Sequence, residues 1–280
     1  MYVARQRGSE ITGGLTLSQA ISLETLSLAE NARFAKIATD VQEFLAAAPL
    51  IRHQEISSLD ARLLEWWNNL PRILKEDRPC PDSRATLQSV IRWRFYNQRM
   101  LLYRPMLLSY AMRRVPYIAL PTEDRAAIEK CREMADRSIQ DIDATMRPNP
   151  LCGWNAVWWT FQTALVPLIG LFLNDPTAGA EDPRASIEAC QAQLKMAMGI
   201  LERLHSYGHK AQRSLSIISG LFEASKRPKD TQPQNVEPVA GGGILRDEAA
   251  IGSPWMDDAN DECWLQEYLS WSNHNFWPEV

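Results

Sequence analysis

At 280 residues, with 45% hydrophobic and 23% charged residues, the chain can bury a substantial core and has a globular composition. Its 30 Lys and Arg against 34 Asp and Glu leave a net charge of −4, which excludes a general electrostatic attraction to nucleic acid. Glycine is scarce, at 13 residues, against abundant Leu, Ala, Glu and Arg, so helix is favoured throughout.

The first residues, Met1 to Gly8, lead into no apolar h-region, so no signal peptide is expected. Leu15 to about Ala48 reads as helix, with a break near Asn31. Ala35, Ile37, Val41, Phe44 and Leu45 form its apolar stripe, and Pro49 ends it. Leu59 to Leu74 should form the next helix, with Leu59, Leu63, Trp66, Trp67, Leu70 and Ile73 on one broad face. Two prolines, Pro79 and Pro81, interrupt the loop that follows. Asp82 or Ser83 then caps a helix to about Arg104, striped by Leu87, Val90, Ile91, Phe95, Met100, Leu101 and Leu102. Pro105 should kink or end it, and Met106 to Met112 can resume it.

After Pro121, Thr122-Glu123-Asp124 starts a helix carrying Ile128, Cys131, Ala135, Ile139, Ile142 and Met146, closed by Pro148 and Pro150. Trp154 to Leu173 contains no charge and is long enough to cross a membrane. It carries Asn155, Thr160, Gln162, Thr163, Pro167 and Gly170, and no Lys/Arg cluster flanks it. The expectation is a core helix with Trp154, Trp158, Phe161, Leu165, Leu168 and Phe172 buried, and no membrane partner. Asn174 to Pro183 reads as a loop. Helices Ala185–Tyr207 and Lys210–Ala224 follow. Lys226 to Gly243, with its prolines and triple glycine, reads as a linker.

Gly252 to Val280 holds four of the ten tryptophans, six acidic residues and no lysine or arginine. Carboxylates interleaved with aromatics are the composition of disordered activation segments, which lay apolar anchors into a coactivator groove. The anchors read here are Trp255, Trp264, Leu265, Tyr268, Leu269, Trp271, Phe276 and Trp277. A tail that docks on its own domain through these tryptophans is the competing reading.

Chemistry-bearing patterns are sparse. The cysteines Cys80, Cys131, Cys152, Cys190 and Cys263 form no CxxC pair, so free thiols in a reducing compartment are expected, with neither zinc nor redox site. His205 and His209 have metal-ligand spacing, but Gly208 falls between them and capping is the expected use. Asp257, Asp258 and Asp261 match the DDxxD pattern that holds magnesium in helical terpene synthases, yet lie beyond the linker. No GxSxG, HExxH, GxGxxG or P-loop pattern occurs, and no enzyme is expected.

Arg72 to Arg114 sets ten Lys or Arg against three acids, with Trp93, Phe95, Tyr96 and Tyr103 among them. That pattern suits a phosphate-facing helix with stacking rings. The expectation is structural use instead, with Arg stems packed on rings and heads paired to carboxylates.

Leu63-Leu64-Glu65-Trp66-Trp67-Asn68-Asn69-Leu70-Pro71, followed by Tyr96-Asn97-Gln98-Arg99-Met100-Leu101-Leu102-Tyr103-Arg104-Pro105-Met106-Leu107, resembles the regulatory domain of fungal zinc-cluster transcription factors. Trp66, Leu70, Pro71, Tyr96, Arg104 and Pro105 carry the motif, and the resemblance spans about residues 59–224. It implies an irregular all-α regulatory domain followed by a disordered C-terminal tail. It also implies a nuclear protein, a coactivator or transcription-machinery partner for the tail, and homo- or hetero-dimers. No CxxCxxxxxxC run is present, so no cofactor is expected in this chain, and zinc or DNA contact would need an upstream six-cysteine module. The expected organisation is an N-terminal helical segment (1–50), the regulatory domain (51–225), the linker (226–243) and the activation tail (244–280). The alternatives are a DNA-blind protein that modulates a full-length relative, and a helical magnesium enzyme.

Overall fold

The computed structural model describes residues 17–47, 53–75, 81–113, 115–147 and 149–226, and among them the fold is all-α. The linker and the tail, from residue 227 onward, lie outside the described residues.

Helix α1 spans Leu17–Ala47, and no break occurs near Asn31. The helix contains neither Gly nor Pro, and the Asn31 side chain accepts a hydrogen bond from Arg94 Nη1 at 2.8 Å, which fixes that turn instead of opening it. Its inward face is Leu23, Phe34, Ala38 and Val41, with Ser27 and Glu30 also buried. Of the stripe read from sequence, Val41 is buried and Ile37, Phe44 and Leu45 pack part-buried against the core, while Phe34 and Ala38 take the fully buried positions beside Ala35 and Ile37.

Helix α2 (His53–Asn69) starts six residues earlier than Leu59 and stops before Pro71; a short α3 (Arg72–Lys75) follows. The break re-aims the chain, so Leu74 is buried and Ile73, expected inside, faces solvent. Helix α4 (Asp82–Arg113) runs through Pro105 without ending. A proline ring removes one backbone donor, but Met106 and Leu107 beyond it are buried, and tertiary packing holds the helix together.

Helix α5 (Thr122–Thr145) has Glu123 and Asp124 in its first turn, favourable toward the helix dipole, and buries Ile128, Cys131, Ala135, Ile139 and Ile142 as expected. Pro150 opens the next helix rather than closing this one. Asn149 Oδ1 accepts from the Cys152 backbone N–H at 2.9 Å, and Pro150 at the first turn loses no hydrogen bond there. Helix α6 therefore spans Pro150–Leu173 and ends on Asn174 in the left-handed region, φ 47°.

The stretch expected as a loop contains α7 (Pro176–Glu181), capped by Asp175, and a 3₁₀ turn (Pro183–Ala185), capped by Asp182. Ser186 caps α8 (Ile187–Arg203), a 3₁₀ turn (His205–Tyr207) follows, and α9 covers His209–Ser225. Gly208 between them has φ 112°, a conformation that favours glycine.

Helix α4 is the hub. One core cluster joins α1 and α2 to Ile91, Phe95 and Leu102 of α4, and another joins Met100, Met106, Leu107 and Tyr110 of α4 to α5 and α6. The contacts Thr86–Asn149, Trp93–Trp159 and Arg104–Gln162 advance together along both chains, so α4 and α6 run parallel. Helix α6 has the length and composition of a membrane span, and 67% of its most apolar window is buried within the fold. Its inward face is Cys152, Ala156, Trp159, Thr163 and Val166; Trp154 and Phe172, expected inside, are 46% and 47% exposed.

Candidate functional site

The eight tail anchors, Trp255, Trp264, Leu265, Tyr268, Leu269, Trp271, Phe276 and Trp277, lie outside the described residues, as do Asp257, Asp258 and Asp261. The six motif residues lie within them and mark two joints around α4.

The first joint binds α2 to α4. Trp66 is buried against Phe34 of α1, ring centroids 4.7 Å apart, and Trp67 stacks on Phe95 at 4.6 Å and 13°. Leu70 is buried just before Pro71, where the chain turns. Below the rings, Arg99 Nε and Nη2 donate to the two Asp60 carboxylate oxygens at 2.5 and 2.8 Å, a fork-to-fork pair with both side chains buried. The Arg99 guanidinium also lies 5.4 Å from the centre of the Phe95 ring. Burial first, then the Asp60 carboxylate to which it hydrogen-bonds, pushes the Tyr103 hydroxyl pKa up. Tyr96 packs against Phe95 at 5.8 Å.

The second joint binds α4 to α6. Arg104 Nη1 donates to Gln162 Oε1 at 2.9 Å, one residue before Pro105. With Arg92 donating to Asp141 at 3.1 Å and Arg94 to Asn31, four arginines of α4, Arg92, Arg94, Arg99 and Arg104, bond within the fold. Arg92 and Arg99 pair with carboxylates, as expected for structural use, whereas Arg94 and Arg104 donate to the amide oxygens of Asn31 and Gln162.

A third polar group sits where α4, α5 and the α6–α8 connection meet. Asp175 accepts from the Tyr110 hydroxyl at 2.6 Å, the Tyr117 backbone N–H at 2.7 Å, and the Thr177 N–H and hydroxyl at 2.9 and 2.7 Å. Burial opposes its ionisation, but these donors together win and hold its pKa at about 2. Asp182 accepts from Arg184 N and Nε, and Arg132 lies 3.7 Å away with its guanidinium over the Tyr117 ring.

Among the described residues the thiols are quiet. Burial pushes Cys131 up to about 12 and Cys190 to about 11, well above a nucleophilic range. His205 and His209 fall on opposite sides of the Gly208 break and share no helical face. His53 is part-buried and hydrogen-bonds Asp124 at 2.8 Å. Among the described residues, no group of three or more His, Cys, Asp or Glu side chains could hold a metal ion.

Sequence reasoning missed Asp60, Asn97, Gln98, Asp175 and Asp182. A polar residue on a buried face gives no periodic signal of its own. The spacing of Asp60 and Arg99 about their helices becomes informative only once α2 and α4 are known to touch.

Over 60 residues the chain is 37% identical to the transcriptional activator protein acu-15 of Neurospora crassa. The matched stretch is 20% of this chain and 6% of that protein's length. No family model matches the chain, and no solved structure matches it. The chain thus carries a short segment similar to part of a fungal transcriptional activator.

Proposed function

We propose that this protein is a fungal transcription regulator: a helical regulatory domain of the zinc-cluster-factor type followed by an activation tail. The local similarity to a fungal transcriptional activator is the observation that carries this reading. The tail composition supports it independently, with four tryptophans and six acids and no basic residue in residues 252–280. In this reading the protein works in the nucleus and controls RNA polymerase II transcription. Trp255, Trp264, Leu265, Tyr268, Leu269, Trp271, Phe276 and Trp277 anchor a coactivator or the transcription machinery.

The arginines of α4 point to the same division of labour. Because Arg92, Arg94, Arg99 and Arg104 bond within the fold, their charge is not offered to DNA, and in this reading promoter contact falls to a separate module or to a partner chain. That observation also favours a second reading, in which the chain binds a full-length relative and modulates it as a homo- or hetero-dimer.

Fusing residues 244–280 to a foreign DNA-binding domain tests the first reading. Reporter activation that disappears when Trp264, Leu265 and Trp271 are changed together to Ala is the expected result, since binding energy concentrates in buried aromatics. An expressed fusion that leaves the reporter silent removes the activation role.

A further inference from the structure

Residues 174–186, which join α6 to α8, form a strap built from α7 and the 3₁₀ turn Pro183–Ala185. The strap lies against the C-terminal end of α4, the 3₁₀ turn Tyr117–Ala119 and the first half of α5. It contributes little apolar packing: Ala178 and Ala185 are the apolar side chains it buries, each a single methyl group. Three of the ties that hold it down are carboxylates. Asp175 accepts from the Tyr110 hydroxyl at 2.6 Å and from the Tyr117 N–H at 2.7 Å. Glu181 pairs with Arg125 at 3.5 Å, and Asp182 faces Arg132 at 3.7 Å. The Ile118 N–H adds a longer bond to Thr177 Oγ1, at 3.4 Å.

These ties are unequal. Asp175 takes two short hydrogen bonds from outside the strap and two more from Thr177 within it. Asp182 and Arg132 are both buried, 2% and 5% exposed, yet Asp182 Oδ2 and Arg132 Nη1 stand beyond hydrogen-bonding distance and neither atom has a hydrogen-bond partner elsewhere in the protein. A buried charge pair that lacks this bond keeps its desolvation penalty and loses part of what offsets it. The tie at Asp182 is therefore the weak one. Beside it, the Cys190 thiol of α8 donates to the Arg184 carbonyl of the strap at 3.5 Å. We propose that residues 176–186 open locally as a unit, pivoting on Asp175, while α4, α5, α6 and α8 stay folded, and that the Asp182–Arg132 pair is the latch.

Few buried apolar contacts are the mark of segments that open well below the free energy of global unfolding. Opening uncovers Cys190 and Arg132, whose guanidinium lies 5.3 Å from the centre of the Tyr117 ring. A segment of this kind can be held shut or drawn open by whatever binds one of its two states better, without unfolding the domain.

The test is native-state hydrogen exchange of the full chain read by mass spectrometry, with iodoacetamide labelling of its cysteines alongside. The hydrogen-bonded amides of residues 176–186 should exchange together, about tenfold or more faster than those of α5 and α6. Asp182→Asn keeps the shape of the side chain and removes its charge. It should raise strap exchange and Cys190 labelling by about tenfold, leaving unchanged Cys131, which faces α4, and Cys152, at the far end of α6. Asp182→Leu combined with Arg132→Met removes both charges at once and should leave the strap as closed as in the unaltered chain. Strap amides that exchange only in step with α5 and α6 would overturn the proposal. So would Cys131, Cys152 and Cys190 reacting in parallel in Asp182→Asn, which is the signature of global unfolding, or a double variant that opens as Asp182→Asn does. Should Asp182→Asn fail to fold, exchange in the unaltered chain still decides whether the strap opens on its own.

Discussion

Asp60 on α2 and Arg99 on α4 face each other as fork to fork, both buried, and are the one doubly hydrogen-bonded ion pair described between those helices. A pair of this kind is costly to break from one side, because the remaining charge stays in the core without its partner. Asp60→Ala should therefore destabilise the domain by roughly 3–5 kcal/mol, read as a fall in the urea midpoint. Replacing both at once, as Asp60→Leu with Arg99→Met, should cost less than Asp60→Ala alone. A double variant less stable than the single would show that the charges themselves hold α2 to α4.

Asp175 gives the fold an acid-sensitive point. Its pKa is about 2 in the folded protein, below the ordinary value of 3.8, so the charged form is favoured by folding. The resulting stabilisation is complete above about pH 4 and is lost as the pH falls toward 2. Melting temperatures of the protein and of Asp175→Asn should differ most at neutral pH and converge below pH 4. A gap that stays constant across that range would contradict the assignment.

Part of this architecture was legible in the sequence, and the reason lies in which residues advertise themselves. The α5 stripe of Ile128, Cys131, Ala135, Ile139 and Ile142 is apolar at steps of three and four and is buried, while Met146, read with it, falls just past the helix end and is half-buried. Thr122 was readable as a helix start from Pro121 before it and the two acids after it. Helix α4 was the opposite case. Its apolar stripe leaves out Gln88, Ser89, Arg92, Asn97, Gln98 and Arg99, yet all are buried since helices pack around it on several sides. Pro150 was ambiguous, because proline both follows one helix and opens the next. Trp154 and Phe172, near the two ends of α6, are about half exposed, and Trp154 instead carries the Lys210 ammonium of α9 over its ring at 4.4 Å. The tail anchors were legible only as composition, and they fall outside the described residues.

Gly170 of α6 and Cys190 of α8 touch so closely that a Cβ added at Gly170 would lie 2.8 Å from Cys190 Sγ. Gly170→Ala should cost about 1–3 kcal/mol from overpacking, despite the better helix propensity of alanine. Combining it with Cys190→Ala should return part of that loss. The thermodynamic cycle over the four proteins measures the coupling, and a coupling near zero would mean that the two helices part freely.

Cys131, Cys152 and Cys190 are buried, and burial raises all three thiol pKa values. At pH 8 in native buffer they should resist iodoacetamide, and in denaturant they should label fully. Peptide mapping by mass spectrometry distinguishes them individually. Rapid native labelling of Cys131 would mean that the α4–α5 contact opens on that timescale.

The most direct measurement for the transcriptional role is the full chain tethered to a reporter promoter through a foreign DNA-binding domain, at matched nuclear levels. The account predicts output above that of the DNA-binding domain alone, returning to that baseline when Trp264, Leu265 and Trp271 are changed to Ala. Output equal to the baseline from the unaltered chain would contradict it.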